Sequence, residues 1–560
     1  MADPYAAFGV LPERINVSRR LMLHAREAPD RPAVIVPGPK GLDITTYAQL
    51  NARSSRLAGG LIELGVKPGD RTCVFVKPGA DLVTIVWGLW KLGAVPVLID
   101  PGMGRERMLS CLERMAPRVF IGIPKAHLAR KLYPAAFQTI EISITVGSSL
   151  LGGLLSRGST LAKVEKAGTD VIEPHDTAND DPAAILFTSG STGPPKGVHY
   201  THGMFEAQVR ALDKLYGFEP GEIDFCGLPA FALFDAALGM TSVFPPIDPS
   251  NPESCDPAEL FALFEKVRPS TAFASPAVWR RLIPWCVDNG YKLEGLRRAL
   301  TAGAPIPPKL VRDFHRVLPM DGDLHTPYGA TEALPVSSVS GREMIPDLET
   351  RVLQGEGTPV GTVAPGIDLR LIRVTDDPIR EWSDDLEVAK GEIGEVVVRG
   401  PVVTHAYAED ASATAAAKIP SSLGIWHRMG DLGQIDENGC LWFLGRKSQR
   451  LMTRLGLRTP VPTENVFNTH PRVRRTALVG VGPAGEEMPV LIVEPVPGEL
   501  PKSKVMTDAF ANQLKVIGRK CKVSSDIETF LFHPEFPVDV RHNSKIHREE
   551  LKDWAQEQFR

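Results

Sequence analysis

A loop rich in hydroxyl groups and glycine follows a short apolar run, Ile185-Leu186-Phe187, in the first half of the chain. Hydroxyls and the main-chain N–H groups beside glycine can converge on an anion, and the lysine that follows adds a positive charge. The Walker spacing fails, because that lysine stands between Pro195 and Gly197. A flexible Ser/Gly linker is the competing interpretation, but linkers rarely join a buried strand to an apolar continuation. The loop therefore predicts phosphate binding, through Thr188, Ser189, Gly190, Ser191, Thr192, Gly193 and Lys196.

The elements that must position this loop alternate between helix and strand patterns. Residues 50–64 and 82–92 have apolar side chains at helical spacing, and residues 72–76 and 95–99 read as short buried strands. This order predicts an α/β fold with a mostly parallel sheet covered by helices. Residues 142–155 predict a buried strand running into a small helix or loop, with a surface-lying lipid contact as the alternative.

The pattern changes in the second half of the chain. From about 355 to 401, short segments between Gly, Pro and acidic turns suggest a small antiparallel barrel or sheet. A basic polar run follows Gly445-Arg446, and a further α/β pattern follows that run. We therefore expect an N-terminal domain over 1–445, a hinge at 446–449 that contains Ser448, and a separate C-terminal domain over 450–560.

Composition excludes several classes of function. The chain has 560 residues, 43% hydrophobic and 23% charged, with a net charge of -4 and no long run of one sign, so no nucleic-acid surface is expected. The seven cysteines are scattered without a Cys-x-x-Cys pair, which speaks against zinc or disulfides. Neither a signal peptide nor a membrane span is expected. The prediction is a cytoplasmic protein, with attachment to a membrane surface or a multienzyme assembly left open.

The loop at 188–198 resembles the signature loop of the adenylate-forming superfamily, which contains acyl-CoA synthetases, luciferases and peptide-synthetase adenylation domains. Further segments resemble that family's motifs in order, at 301–305, 328–332, 391–395, 427–431 and 445–446. The resemblance covers roughly 16–551. It implies two helix-covered, mainly parallel sheets and a small β-barrel subdomain at 355–445, followed by a small mobile α+β domain. It also implies ATP and Mg²⁺, and an acyl-AMP product.

The same resemblance implies a role for each matched residue. Glu332 and Thr192 would bind Mg²⁺, and Thr331 would touch the α-phosphate. Asp431 would hold the ribose hydroxyls, and Lys545, which precedes an Ile-x-Arg, would bridge the substrate carboxylate and the α-phosphate. The other residues implied in nucleotide binding are Gly303, Ala304, Pro305, Tyr328, Gly329 and Arg446.

Departures from the common pattern point to a narrower group. Ala232 stands where many acyl-CoA ligases have histidine, and Ser448 stands where the hinge usually has Asp or Lys. The stretches 198–208, 231–240 with 247–249, and 538–548 resemble β-lactone synthetases of bacterial long-chain olefin biosynthesis. That resemblance implies a 2-alkyl-3-hydroxy fatty acid substrate, whose carboxylate is adenylated and whose own 3-hydroxyl then closes a β-lactone. It also suggests partner enzymes of the olefin pathway, a hydrolase-fold β-lactone decarboxylase and a reductase.

Such a substrate needs an apolar pocket and an acceptor for the hydroxyl proton. Phe231, Ala232, Phe234 and Met240 are the candidate pocket residues, and a plain core role is equally open for each. His202 is the candidate acceptor, beside His199, His325 and the AMP phosphate oxygens. The alternatives are a long-chain acyl-CoA or acyl-AMP ligase and a non-catalytic acyl-adenylate or nucleotide-binding protein. A non-catalytic binding protein should lack Lys545, Glu332 or Asp431, and all three residues are present in this sequence.

Overall fold

The computed structural model describes residues 11–147, 158–188, 195–538 and 546–559. Its strands fall into four sheets. They are β1 (Pro32–Gly38), β2 (Gly41–Thr46), β3 (Arg71–Phe75), β4 (Val95–Ile99), β5 (Val119–Gly122), β6 (Ile142–Thr145), β7 (Ser159–Thr160), β8 (Pro182–Thr188), β9 (Lys196–Thr201), β10 (Ile223–Cys226), β11 (Thr241–Val243), β12 (Thr271–Phe273), β13 (Arg298–Leu300), β14 (Asp323–Ala330), β15 (Ala333–Ser340), β16 (Thr358–Val363), β17 (Asp368–Ile372), β18 (Gly394–Arg399), β19 (Lys418–Ser421), β20 (Gly424–Ile435), β21 (Leu441–Arg446), β22 (Leu451–Thr453), β23 (Gly456–Arg458), β24 (Val473–Val481), β25 (Met488–Pro495) and β26 (Thr529–Phe532).

Helices connect and cover these strands, as the alternating pattern of the sequence predicts. The α-helices are Ser18–Glu27, Tyr47–Glu63, Ala80–Leu92, Arg105–Met115, Pro124–Leu132, Leu161–Ala167, His202–Tyr216, Ala232–Leu238, Pro257–Val267, Pro276–Asn289, Pro308–Val317, Gly341–Glu343, Glu349–Leu353, Ala411–Ala417, Pro460–Phe467, Lys504–Gly518 and Arg548–Glu557. A π-helical turn, Met344–Leu348, joins two of them. No helix in the described part of the chain is long and apolar enough to cross a membrane.

Local sequence signals explain where these helices begin and end. The helix predicted at 50–64 begins at Tyr47, because Thr46 and Gln49 form a capping box. The helix predicted at 82–92 runs from Ala80 to Leu92 and ends at Gly93, whose φ of 82° suits glycine. The strand expected from residue 142 is β6, and residues 148–157 lie outside the described residues.

The first sheet has seven strands in the order β7-β6-β5-β3-β4-β8-β9. Its strands are parallel from β7 to β8, and β9 returns antiparallel to β8. Hydrophobic clusters around Leu57 and around Phe120 pack on it. In the sequence, the phosphate loop stands between β8 and β9. Its first residue, Thr188, is the last residue of β8.

The second sheet has fourteen strands in the order β17-β18-β20-β21-β16-β15-β14-β13-β12-β10-β11-β1-β2, with β19 paired to β20. It is parallel from β1 through β14 and antiparallel from β14 to β17. The antiparallel region predicted from 355 is thus present, as an extension of the parallel sheet. Among the described residues, β17 is the last strand at the antiparallel end of this sheet.

Residues after 450 form two smaller sheets. β22 and β23 are a hairpin, and β24, β25 and β26 form a three-stranded sheet. The helices Pro460–Phe467, Lys504–Gly518 and Arg548–Glu557 accompany them, and Phe467, Phe510 and Leu551 are buried there. Together the sheets and helices confirm the α/β class.

Candidate active site

A cavity of about 1520 Å³ lies where the parallel strands of both large sheets end, against the antiparallel strands and the residues after 446. Ligand sites of open α/β sheets lie at this edge, because the carboxyl ends of parallel strands meet there. Most of the described residues that the sequence singled out line it. They are Lys196, Phe231, Phe234, Gly303, Ala304, Pro305, Tyr328, Gly329, Thr331, Glu332, Asp431, Arg446 and Ser448.

Asp431 is the centre of one polar group in the cavity wall. Its carboxylate accepts a hydrogen bond from the Tyr328 hydroxyl at 2.6 Å and lies 2.9 Å from the Arg446 guanidinium. Asp431 and Arg446 are direct partners in the register of β20 and β21. Burial raises the pKa of Asp431, while the Arg446 charge acts to lower it. The group can therefore present a fixed, hydrogen-bonding carboxylate to a polar ligand.

Two glycines leave the cavity open beside this group. The turn 301–305 follows β13 directly, and its Gly303 has φ of 95°, which favours glycine. At Gly329, a Cβ atom would lie 2.7 Å from the Ala333 carbonyl oxygen. The chain therefore passes close to itself here without side chains that would fill the cavity.

Glu332 belongs to a second polar group. Its Oε1 accepts a hydrogen bond from the Tyr407 hydroxyl at 2.7 Å, and the neighbouring Thr331 carbonyl accepts one from Tyr200 at 2.6 Å. Burial and the Glu332 charge raise the pKa of Tyr407, so its phenol stays a hydrogen-bond donor. Glu332 is partly buried in the cavity wall, and a carboxylate is a ligand type that suits Mg²⁺.

Sequence reasoning missed the residues that support Glu332. Tyr407 stands 75 positions away from it and belongs to no motif that the sequence shows. The Lys196 ammonium lies 5.0 Å from the centre of the Tyr407 ring. The buried Lys418 ammonium lies 5.9 Å from the centre of the same ring, and burial lowers the pKa of Lys418 to about 7. Only the tertiary fold brings these four groups together.

The phosphate loop is described only at its ends. Thr188 and Lys196 are partners in the register of β8 and β9, so the two ends of the loop lie side by side. Arg114 donates a hydrogen bond to the Pro195 carbonyl oxygen. The predicted ligands Ser189, Gly190, Ser191, Thr192 and Gly193 and the side chain of Thr188 lie outside the described residues.

The apolar part of the cavity is aromatic. Phe234 stacks on Phe205 at 4.6 Å between ring centres, and Phe231 meets Phe273 edge-on at 4.7 Å. All four rings line the cavity. The other two predicted pocket residues, Ala232 and Met240, are buried in the hydrophobic core behind these rings and do not line it.

The three histidines predicted as proton acceptors do not line the cavity. His202 begins the helix His202–Tyr216, is fully buried, and lies 3.4 Å from the Val17 main-chain nitrogen through its Nδ1. Burial lowers its pKa to about 4. His199 and His325 are likewise absent from the wall, and His427 is the histidine that lines it among the described residues.

The predicted hinge lies beside the cavity. Ser448 is in a short 3₁₀ turn, and its neighbour Lys447 donates a hydrogen bond to the Thr375 carbonyl oxygen at 2.8 Å and lies 3.2 Å from Glu395. Lys545 lies outside the described residues. The residue after it, Ile546, lines the cavity and pairs with Val538 in an isolated antiparallel bridge.

Known proteins resemble this chain along nearly its whole length. Residues 22–408 match the family model described as AMP-binding enzyme. The olefin beta-lactone synthetase of Xanthomonas campestris pv. campestris is 43% identical over 559 residues, which is 97% of this chain and 98% of that protein. The olefin beta-lactone synthetase of Stenotrophomonas maltophilia is 43% identical over 557 residues, which is 96% of this chain and 98% of that protein.

Solved structures share the fold at lower identity. A crystal structure of an anthranilate CoA ligase in complex with anthranoyl-AMP superposes with a TM-score of 0.78 at 20% identity, covering 98% of both chains. That likeness supports the fold, while the family model and the 43% relatives support the relationship. The chain therefore belongs to the AMP-binding enzyme family, and within it to the group that contains the olefin beta-lactone synthetases.

Proposed function

We propose that this protein uses ATP and Mg²⁺ to convert a 2-alkyl-3-hydroxy fatty acid into an acyl-AMP, which then closes to a β-lactone. The observation that carries the proposal is a single cavity with two chemically different parts. The polar part contains Asp431, Tyr328 and Glu332, and the apolar part contains stacked phenylalanines such as Phe234. An acid that is polar at one end and alkyl at the other fits such a cavity.

The first step joins two anions, so the site must offset charge. A substrate carboxylate oxygen attacks the α-phosphorus of ATP, the bond to the bridging oxygen breaks, and pyrophosphate leaves. Lys196, Lys545 and the loop at 188–193 would neutralise the phosphates, and Glu332 with Thr192 would hold Mg²⁺. Mg²⁺ would shield the phosphate charge when bound. Asp431 would hold the ribose hydroxyls, with Tyr328 and Arg446 fixing its direction.

The second step is internal to the substrate. The 3-hydroxyl oxygen attacks the acyl carbon, the bond from that carbon to the AMP oxygen breaks, and AMP leaves. A phosphate oxygen of the departing AMP would accept the hydroxyl proton. This assignment is preferred to His202, because His202 is buried outside the cavity wall. The aromatic pocket would fold the alkyl chains so that hydroxyl and carbonyl meet.

A β-lactone is a strained ester, so an enzyme that opens or decarboxylates it is the fitting partner. We propose the hydrolase-fold β-lactone decarboxylase of the olefin pathway for that place, and the pathway's reductase as the source of the hydroxy acid. The domain division at 446–449 is part of the same proposal, because Lys545 would have to approach the α-phosphate for one step and withdraw afterwards.

Incubation with ATP, Mg²⁺ and a 2-alkyl-3-hydroxy acid, without CoA, tests the proposal. AMP and a β-lactone are the expected products. Turnover that begins only when CoA is added, with a thioester as the product, would contradict it and favour a long-chain acyl-CoA ligase. ATP binding without any turnover would favour a non-catalytic binding protein.

A further inference from the structure

Lys418 is a buried lysine close to the proposed magnesium side of the cavity. It is the first residue of β19, directly after the helix Ala411–Ala417, and is only 4% exposed. Its Nζ donates a hydrogen bond to Thr404 Oγ1 at 3.0 Å and another to the Thr404 carbonyl oxygen. Within the described ranges it forms no ion pair with a carboxylate. Lys418 does not line the cavity, so any effect on a ligand must pass through its neighbours.

Thr404 connects this ammonium to Glu332. The Thr404 N–H donates a hydrogen bond to the Glu332 carbonyl oxygen at 2.9 Å. Three residues further on, the Tyr407 hydroxyl donates to Glu332 Oε1 at 2.7 Å. Segment 404–407 therefore holds Glu332 by both its main chain and its carboxylate, and Lys418 holds the first residue of that segment.

A hydrocarbon side chain would fill this space at lower cost. Burying an ammonium group without an ion-pair partner is unfavourable, so the two hydrogen bonds to Thr404 and the nearby negative charge of Glu332 must offset it. The Glu332 charge acts to raise the pKa of Lys418, against the larger effect of burial.

A second buried lysine shows what a purely structural role looks like. Lys91 is 1% exposed, and its Nζ donates to Asn51 Oδ1 at 2.6 Å and Ser55 Oγ at 2.7 Å. Burial lowers its pKa to about 7, as for Lys418. Its partners belong to the helix Tyr47–Glu63, and neither Lys91 nor these partners line the cavity.

We propose that Lys418 is a positioning residue for the binding of magnesium and the ATP phosphates. By anchoring segment 404–407, it fixes the direction in which Glu332 presents its carboxylate to the cavity. This inference rests on the proposed function only where that function assigns Glu332 to Mg²⁺, and not on the identity of the acid or the product.

The test compares Lys418→Met with Lys91→Met in the full chain. Methionine keeps an unbranched stem and removes the ammonium at each site. Calorimetric titration with ATP measures metal-dependent binding, at a series of MgCl₂ concentrations and without the acid. Thermal unfolding measures the stability of each variant. Lys418→Met should raise the MgCl₂ concentration for half-maximal ATP binding about tenfold, as outer-shell changes at metal sites do. Both substitutions should lower the Tm by similar amounts. Lys91→Met should leave the MgCl₂ concentration for half-maximal ATP binding unchanged.

The same dependence on MgCl₂ in both variants and the parent would overturn the proposal and leave Lys418 a structural role. If Lys418→Met does not fold, Thr404→Val removes only the Oγ1 acceptor and should raise the MgCl₂ requirement about threefold. An unchanged requirement in a folded Thr404→Val variant would overturn the proposal as well. A parent enzyme that binds ATP with Mg²⁺ but makes no lactone would refute the proposed product, while the Lys418 comparison would still hold.

Discussion

The Tyr328 hydroxyl donates a hydrogen bond to the Asp431 carboxylate at 2.6 Å, across 103 positions of sequence. Tyr328 comes from β14 of the large sheet, and Asp431 comes from β20 of its antiparallel extension. The bond therefore joins the parallel and antiparallel regions at the cavity. It also gives the carboxylate a fixed direction, because Arg446 holds the other oxygen at 2.9 Å.

Tyr328→Phe should weaken ATP binding about tenfold, equivalent to about 1.4 kcal/mol. The substitution leaves the buried carboxylate without one of its two partners, so Asp431 is less fixed toward the ribose. Calorimetric titration with ATP and Mg²⁺ checks this. Tyr216→Phe is the matched control. The buried Tyr216 hydroxyl donates a hydrogen bond to Ser338 Oγ at 3.1 Å, and neither residue lines the cavity. Equal loss of affinity in both variants would contradict the role given to Asp431.

Lys545→Ala should nearly abolish adenylate formation and leave ATP binding in place. The reason is the charge repulsion between the substrate carboxylate and the α-phosphate, which this lysine is proposed to offset. Release of pyrophosphate measures the effect. Lys552→Ala is the control, because Lys552 follows in the same C-terminal sequence and pairs with Glu487 at 2.7 Å. Unchanged pyrophosphate release by Lys545→Ala would refute the assignment.

Phe234→Ala should lower kcat/KM for long-chain acids by about tenfold and have less effect on short-chain acids. Phe234 stacks on Phe205 in the cavity wall, so its loss removes apolar contact area from the alkyl chain. A series of acids that differ in alkyl length measures the dependence. Phe261→Ala is the control. Phe261 is also half-buried and stacks on Tyr291 at 4.5 Å between ring centres, and neither residue lines the cavity. The same loss for every chain length, or in both variants, would argue against an acyl pocket here.

Asp235→Asn should stabilise the protein at pH 8 and change little at pH 4. Asp235 is fully buried beside Asp224, and burial raises its pKa from 3.8 to about 7. A carboxyl with a raised pKa in the folded state contributes stability below its unfolded pKa, and that contribution is lost as pH rises from about 4 toward 7. The Ser242 hydroxyl, which donates to Asp235 at 2.7 Å, can still donate to an asparagine oxygen.

The check is the Tm difference between variant and parent across this pH range. It should grow with pH and be largest above pH 7. The exposed Asp30→Asn variant serves as control and should show no such trend. A difference that shrinks as pH rises would contradict the raised pKa of Asp235.

The motif resemblance was sufficient to find much of this site. The glycine turn at 301–305, Glu332 and Asp431 lie in the cavity wall, and the resemblance of their segments to family motifs had singled them out. No spacing in the sequence predicts that Asp431 lies beside Arg446, because their pairing depends on the register between β20 and β21. The likeness to olefin beta-lactone synthetases agrees with the resemblance that the sequence carries.

Other parts of the site depend on contacts that no local pattern shows. Tyr407, Thr404 and Lys418 belong to a segment without a motif, and they reach Glu332 only through the fold. His202 stands next to the phosphate loop in sequence, yet it begins a helix that turns it toward Val17 and away from the cavity. Met240 is apolar like the pocket rings but lies behind them in the core.

In the proposed reaction, ATP activates the carboxylate of the acid, and not its hydroxyl, before the ring closes. An acid with ¹⁸O in both carboxylate oxygens tests this directly, with ATP and Mg²⁺ and without CoA. Attack on the α-phosphorus should leave one ¹⁸O in AMP, and closure by the unlabelled 3-hydroxyl should leave the other in the lactone carbonyl. Unlabelled AMP together with a lactone that retains both ¹⁸O atoms would contradict the account, because the hydroxyl would then have been the activated group.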